Sequence, residues 1–221
     1  MKLSLSNTHT SLKVPHPHDM PSTTLPDIMK GLQIKEFKKP YHFSTVIPVP
    51  KIVHDNEVLI KVAVAGYCHT EIMVQNGEFE SKMGTRNKLP LIPSHEGTGV
   101  VVAVGPQVSN VKVSHHIVAS QYVHRAQVGD RVGSLAFKNP CGSCSDCKLG
   151  VPKYCENMDL TGVISNGVAA EYMVADSAYT VPLPDNLTFE AAAPLMCAGK
   201  TQSWYRFLYL YHFLPCRGYN V

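Results

Sequence analysis

The stretch CGSCSDCKLGVPKYC, residues 141–155, constrains this 221-residue chain more than any other. It spaces four thiols as Cys141-x2-Cys144-x2-Cys147-x7-Cys155. Four thiolates at such intervals can wrap one tetrahedral zinc ion with Zn–S bonds of ~2.3 Å, and a site closed in this way holds a loop together but does no chemistry. Gly142 and Gly150 supply the sharp turns that such a wrap needs. The alternative is a loop with four free thiols or two disulfides. The chain has seven cysteines in all, an odd number, and no secretory signal, which favours metal ligation in a reducing compartment over disulfides.

Around this loop the texture is β. Glu57–Gly66 (EVLIKVAVAG) alternates and is rich in β-branched residues, as a half-buried strand should be. Gly97–Gly105, Val128–Phe137 and Ala169–Pro184 repeat the pattern between closely spaced glycines and prolines. Many short punctuated strands predict a mainly β barrel or sandwich. Helical periodicity is thin. His69–Gly77 predicts one short helix, and Leu187–Met196 a second, capped by Asn186 or Thr188.

A second group of metal-ligating residue types is dispersed. Cys68 and His69 stand in GYCHTE, His95 and Glu96 in PSHEGTG, and Cys197 in LMCAG, each in a turn or at the end of a strand-like segment. Two cysteines and one histidine with an open coordination position form the ligand set of a catalytic zinc, which acts on an alcohol oxygen as a Lewis acid. Taken singly, a buried cysteine is more often core and a histidine more often a hydrogen-bonded bystander, and spacing alone leaves the two readings balanced.

Taken in order, GYCHTE, PLIPSHEGTGVVVAVG, GDRVG, the four-cysteine loop, NMDLTGVISNGVAAEYMVA and APLMCAG resemble the catalytic domain of zinc-containing alcohol dehydrogenases, most closely the microbial and fungal branch. The resemblance covers residues 27–199. It implies a GroES-like, partly open β-barrel with short helices and a four-cysteine zinc lobe. It also implies oxidation of a small alcohol to an aldehyde or ketone with NAD(P), and homo-oligomers in the family, an assembly not expected of a fragment.

Residue by residue, the resemblance implies that Cys68, His95 and Cys197 ligate a catalytic zinc, and that Glu96 can approach the metal. Thr70 corresponds to the hydroxyl that starts the substrate's proton toward solvent, and His69 to a basic group near the cofactor pyrophosphate. Cys141, Cys144, Cys147 and Cys155 match the structural-zinc lobe. There are departures. Glu71 stands where many members carry an aspartate that holds the ligand histidine. Asn76 stands where several carry a histidine that ends the proton relay, and 81–90 is a longer loop than usual.

Three segments fall outside this pattern. Residues 1–26 read as a disordered leader. Residues 113–127 read as an insertion, because VSNVK would otherwise run directly into VGDRVG. Residues 200–221 read as an aromatic tail unrelated to the family, in which Cys216 is no ligand. The chain has no Gly-x-Gly-x-x-Gly, so a Rossmann cofactor domain is expected to be absent and the 221 residues to be inactive by themselves. Val113-Ser114 and Gly199-Lys200 can be encoded by splice-donor sequences, which makes both odd segments candidate translated introns, a splice isoform or lineage-specific insertion being the other reading. A non-catalytic zinc-binding fragment is the alternative function.

A net charge of +3 with no basic run, and no recognition helix after the cysteines, argue against nucleic acid. No apolar run reaches membrane-spanning length, and a cytoplasmic location is the expectation.

Overall fold

The structure, a computed structural model, describes residues 25–80, 88–109 and 126–199. The expected leader lies outside these residues except for Leu25 and Pro26, both exposed, and the aromatic tail lies wholly outside them. Of the expected insertion only Ala126 and Gln127 are described, and they are part of the fold. Ala126 is 2% exposed within the core, and the Gln127 N–H donates to Asp130 Oδ2 at 2.8 Å in the turn that leads into a strand.

The architecture is mainly β, as expected. Five antiparallel strands form the central sheet: β3 (Glu57–Ala65), β4 (Gly97–Val104), β5 (Arg131–Ser134), β8 (Tyr172–Asp176) and β9 (Thr180–Pro182), in the spatial order β8-β3-β4-β5-β9. β1 (Ile28–Gln33) and β2 (His42–Pro48) form a hairpin joined to the rest through bridges Gly31–Ala170 and Ile34–Leu91. β6 (Phe137–Lys138) and β7 (Asp159–Leu160) pair at the base of the cysteine loop. Two register shifts in the β3–β4 ladder bend the sheet, as bulges do.

The period of two sorts residues onto the two faces of the sheet. Val58 and Ile60 of β3, with Met173 and Ala175 of β8, join Val101 and Val132 in one buried cluster. Leu59, Tyr172 and Val174 point the other way and pack with Met29 and Ile47 of the hairpin and Ile92. Both faces are therefore covered, which is why the first four residues of β3 are all buried and only its second half alternates. A third cluster, Ile34, Val74, Leu91 and Val163, lies beneath helix α1 (His69–Gln75) and fixes its position.

The second predicted helix is shorter than its pattern. Thr188 caps a single α-turn, Phe189–Ala192, its hydroxyl accepting from the Ala191 N–H at 3.2 Å. Pro194 then tightens the chain into a 3-10 turn, Ala193–Met196, that ends at Cys197.

Candidate metal centres

Among the described residues, two clusters of metal-ligating side chains emerge. In the first, ligand atoms of Cys68, His95, Glu96 and Cys197 all lie within 4.8 Å of one another. In the second, the sulfurs of Cys141, Cys144, Cys147 and Cys155 do the same.

The first cluster is assembled from three segments. β3 ends at Ala65, and Cys68 becomes the N-cap of α1, its sulfur accepting from the Thr70 N–H at 3.4 Å. Glu71 closes a capping box, with Oε2 accepting from the Cys68 N–H at 2.6 Å. Its other oxygen, Oε1, lies 2.9 Å from His95 Nδ1, a close contact but one poorly aligned for a hydrogen bond. One carboxylate, 1% exposed, thus reaches the backbone of Cys68 and the ring of His95. The longer side chain at position 71 does not break the contact with the histidine.

His95 and Glu96 sit just before β4. The preceding Ser94 adopts a left-handed φ of 73°, and its hydroxyl donates to Gly66 O at 2.7 Å. Opposite, the Val168 N–H donates to Ser94 O at 2.9 Å, so the turn is held from both sides. A Cβ on Gly66 would collide with Glu96 Oε2, which explains a glycine two residues before Cys68. Glu96 Oε1 also accepts a 3.4 Å bond from the Ala198 N–H, tying the Cys197 turn to β4.

The donors suit zinc. With Zn–S of ~2.3 Å and Zn–N of ~2.0–2.1 Å, a tetrahedral site separates sulfur from nitrogen by roughly 3.6 Å and sulfur from sulfur by roughly 3.8 Å. Cys68 Sγ stands 3.7 Å from His95 Nε2. The electrostatics agree. Burial pushes the Cys197 thiol up to about 12, and the neighbouring Cys68 and Glu96 charges add to it. Burial also raises the Cys68 thiol, although the Thr70 hydroxyl and N–H pull it back in part. Two thiols raised in this way resist ionising side by side without a cation, and a divalent ion inverts that balance.

In the lobe, Gly142 (φ 70°) and Gly150 (φ 77°) make the turns predicted for them. Cys155 Sγ lies 3.5 Å from Cys141 Sγ, too far for a disulfide and near a tetrahedral edge. Backbone N–H groups of Cys141 and Cys144 donate to Cys155 Sγ (3.3 Å) and Cys141 Sγ (3.4 Å). The Ser143 hydroxyl and then the backbone amides pull the Cys141 thiol down to about 5, while burial and the neighbouring sulfurs push Cys147 up to about 12.

The sequence-predicted site residues are largely brought together. Thr70 is half-buried beside Cys68. His69 is the exception: it stands exposed at the first position of α1, outside the four-residue cluster. A cavity of about 210 Å³ between the β1–β2 hairpin and Lys138, lined by Met29, Ile92 and Tyr172 among others, contains none of these residues.

The "Alcohol dehydrogenase GroES-like domain" family matches residues 54–185. This chain belongs to that alcohol dehydrogenase family. An alcohol dehydrogenase of Geobacillus stearothermophilus is 40% identical over 78% of this chain and 45% of its own length. The crystal structure of the alcohol dehydrogenase of Aeropyrum pernix matches with a TM-score of 0.61 and 26% identity, over 77% of this chain and 45% of that one. The D-arabinose dehydrogenase of Sulfolobus solfataricus matches equally well, TM-score 0.61 and 28% identity over 82% and 48%. The chain spans about half the length of the relatives it matches. Among its described residues no helix is long and apolar enough to cross a membrane.

Two supporting features of this alcohol dehydrogenase domain were not read from the sequence. Cys68-x-x-Glu71 has capping-box spacing, a signal hidden because cysteine is not the usual cap. The polar clamp at the base of the lobe was also missed. Buried Glu57 accepts from the N–H groups of Val53 (2.8 Å) and His54 (2.9 Å) and from Asn139 Nδ2 (3.2 Å), and buried Asp176 accepts from the Asn139 N–H at 3.1 Å. Glutamate opening a strand gave no hint of it.

Proposed function

We propose that this domain is the metal- and alcohol-binding part of a zinc-dependent, NAD(P)-linked alcohol dehydrogenase. The observation that carries the reading is the meeting of Cys68, His95, Glu96 and Cys197 within 4.8 Å from separate segments of the chain. Cys68, His95 and Cys197 would hold the zinc, which supplies Lewis-acid activation of an alcohol oxygen. Glu96, whose carboxylate spans Gly66 and the Ala198 N–H, stands ready to exchange at the same position.

The chain's own groups supply the rest. The Thr70 hydroxyl, held beside Cys68, both accepts and donates, so it takes the substrate proton and passes it outward. Asn76, exposed at the end of α1, cannot accept a proton at neutral pH, and the relay ends in water. Glu71 holds His95 with Nε2 directed at the site and Nδ1 at the carboxylate. His69, exposed at the start of α1, suits contact with the phosphates of a dinucleotide. The Cys141, Cys144, Cys147 and Cys155 lobe carries the structural zinc. The 221 residues contain no Gly-x-Gly-x-x-Gly, and by themselves they are proposed to bind zinc and alcohol without turnover.

The test is zinc stoichiometry of the 221-residue chain by elemental analysis. Two zinc ions are expected, one being lost in Cys68→Ser and the other in Cys144→Ser. One zinc, unaffected by Cys68→Ser, would instead establish the second reading, a non-catalytic zinc module. The completeness of the lobe within residues 141–155 favours that reading.

A further inference from the structure

We infer that Arg131 is a positioning residue for Cys197, an assignment whose metal readout rests on the zinc reading above. Cys197 is delivered by no strand. It follows one α-turn and one 3-10 turn, and short helices of this kind have little stability of their own. Something must hold that segment to the sheet, and β5 does so at both ends.

At the near end, Arg131 Nη1 donates to Pro184 O at 3.0 Å and Nη2 to Leu187 O at 2.6 Å. The same guanidinium lies 4.6 Å over the Phe189 ring. Its backbone carbonyl accepts from the Leu183 N–H at 2.9 Å, and the Thr98 hydroxyl of β4 adds a 3.0 Å bond to Phe189 O. At the far end Met196 packs against Gly133, where any side chain would collide with its sulfur. The span from Leu183 to Met196 is pinned at both ends, and Cys197 is the next residue.

Arg131 has the geometry for this task and lysine does not. Two carbonyls in the plane of a fork, plus an aromatic face, match a guanidinium; an ammonium is a point charge that can satisfy only part of the set. The nearby Asp185 carboxylate, 4.0 Å away and fully exposed, contributes little.

The experiment uses the 221-residue chain with cobalt(II) alone as the metal, because a two-cysteine, one-histidine set and a four-cysteine set give distinguishable thiolate-to-cobalt spectra. Arg131→Lys and Arg131→Gln are expected to weaken cobalt binding at the Cys68, His95 and Cys197 set by about tenfold or more, within the range for lost support around a metal ligand, and to leave the lobe spectrum unchanged. In the metal-free protein, alkylation of Cys197, followed by peptide mass, is expected to quicken severalfold. Ile60→Val, a core change outside residues 183–197, is the control for general destabilisation.

Binding at both sites as in the parent, or loss of both sites in step with stability as in Ile60→Val, overturns the assignment. If the parent takes cobalt only at the lobe, the zinc reading fails and the alkylation rate decides: a faster rate in the Arg131 variants upholds the clamp, an unchanged rate refutes it.

Discussion

Glu71→Gln tests the logic of the site most directly, because one buried carboxylate does two things there. It accepts from the Cys68 N–H at 2.6 Å and faces His95 Nδ1 at 2.9 Å. Glutamine keeps the shape and one acceptor oxygen but places a neutral amide beside the ring. A hydrogen bond to a charged group is worth about 1.5–3 kcal/mol, and part of this survives because an acceptor remains. The histidine loses the carboxylate charge that faces its Nδ1, and disturbance of that kind costs about 10–100-fold in metal affinity, or roughly 1.4–2.7 kcal/mol. Zinc competition against a chromophoric chelator should therefore show at least a tenfold loss at the Cys68 set, with the lobe unaltered. Urea unfolding of the metal-free protein should show a drop of about 1 kcal/mol. The acid limb gives a second readout. Burial pushes the Glu71 carboxyl up, but His95 and the Cys68 N–H outweigh it and hold it below its ordinary value. A carboxyl depressed in this way adds stability above its unfolded pKa of about 4.3, and that stability is lost as pH falls through the lower folded value. Glu71→Gln should flatten this limb. Parent-like zinc affinity together with a parent-like acid limb would refute the double role.

Other perturbations follow from the same geometry. Gly66→Ala drives a methyl into the Glu96 carboxylate, and the Ala198 N–H bond to Glu96 should be lost; amide exchange at Ala198 faster than in the parent is the expected sign. In metal-free protein near neutral pH, iodoacetamide should modify Cys141, pulled down to about 5, ahead of Cys197, pushed up to about 12, and peptide mass spectrometry reads the order. Ser94→Ala removes the 2.7 Å bond to Gly66 O while leaving the left-handed backbone in place, and should cost about 1–3 kcal/mol in denaturant unfolding. Asn139→Ala removes the side-chain bond to Glu57 while keeping the backbone bond to Asp176, and should raise the rate of zinc loss from the lobe more than from the Cys68 set, as followed by chelator kinetics.

What could be read in the sequence depended on how each feature is encoded. The strands β3, β4 and β8 were legible because burial on a pleated surface selects β-branched and apolar residues at a fixed period. The cysteine lobe was legible because its four ligands lie within one loop. β2 was not, since most of its residues are exposed and no alternation marks it. The Cys68 set lay between these cases: its ligand types were visible, but their meeting depended on contacts the spacing does not carry. Those contacts explain the remainder. Arg131 grips Pro184 and Leu187 through main-chain carbonyls, and Glu57 accepts from the backbone of Val53 and His54, so at these four positions neither imposes a side-chain identity. A clamp made to backbone leaves no mark at the gripped positions, so its only trace is the charged residue that makes it. This accounts for a partly buried Arg131 opening β5 and a buried Glu57 opening β3, charges that strand patterning alone would count as surface. In this domain Arg131 ties the Cys197 segment to the sheet, and Glu57, together with Asp176, ties Asn139 at the base of the cysteine lobe. Substitutions at Arg131 and Glu57 should accordingly separate the two clusters, each loosening one and sparing the other.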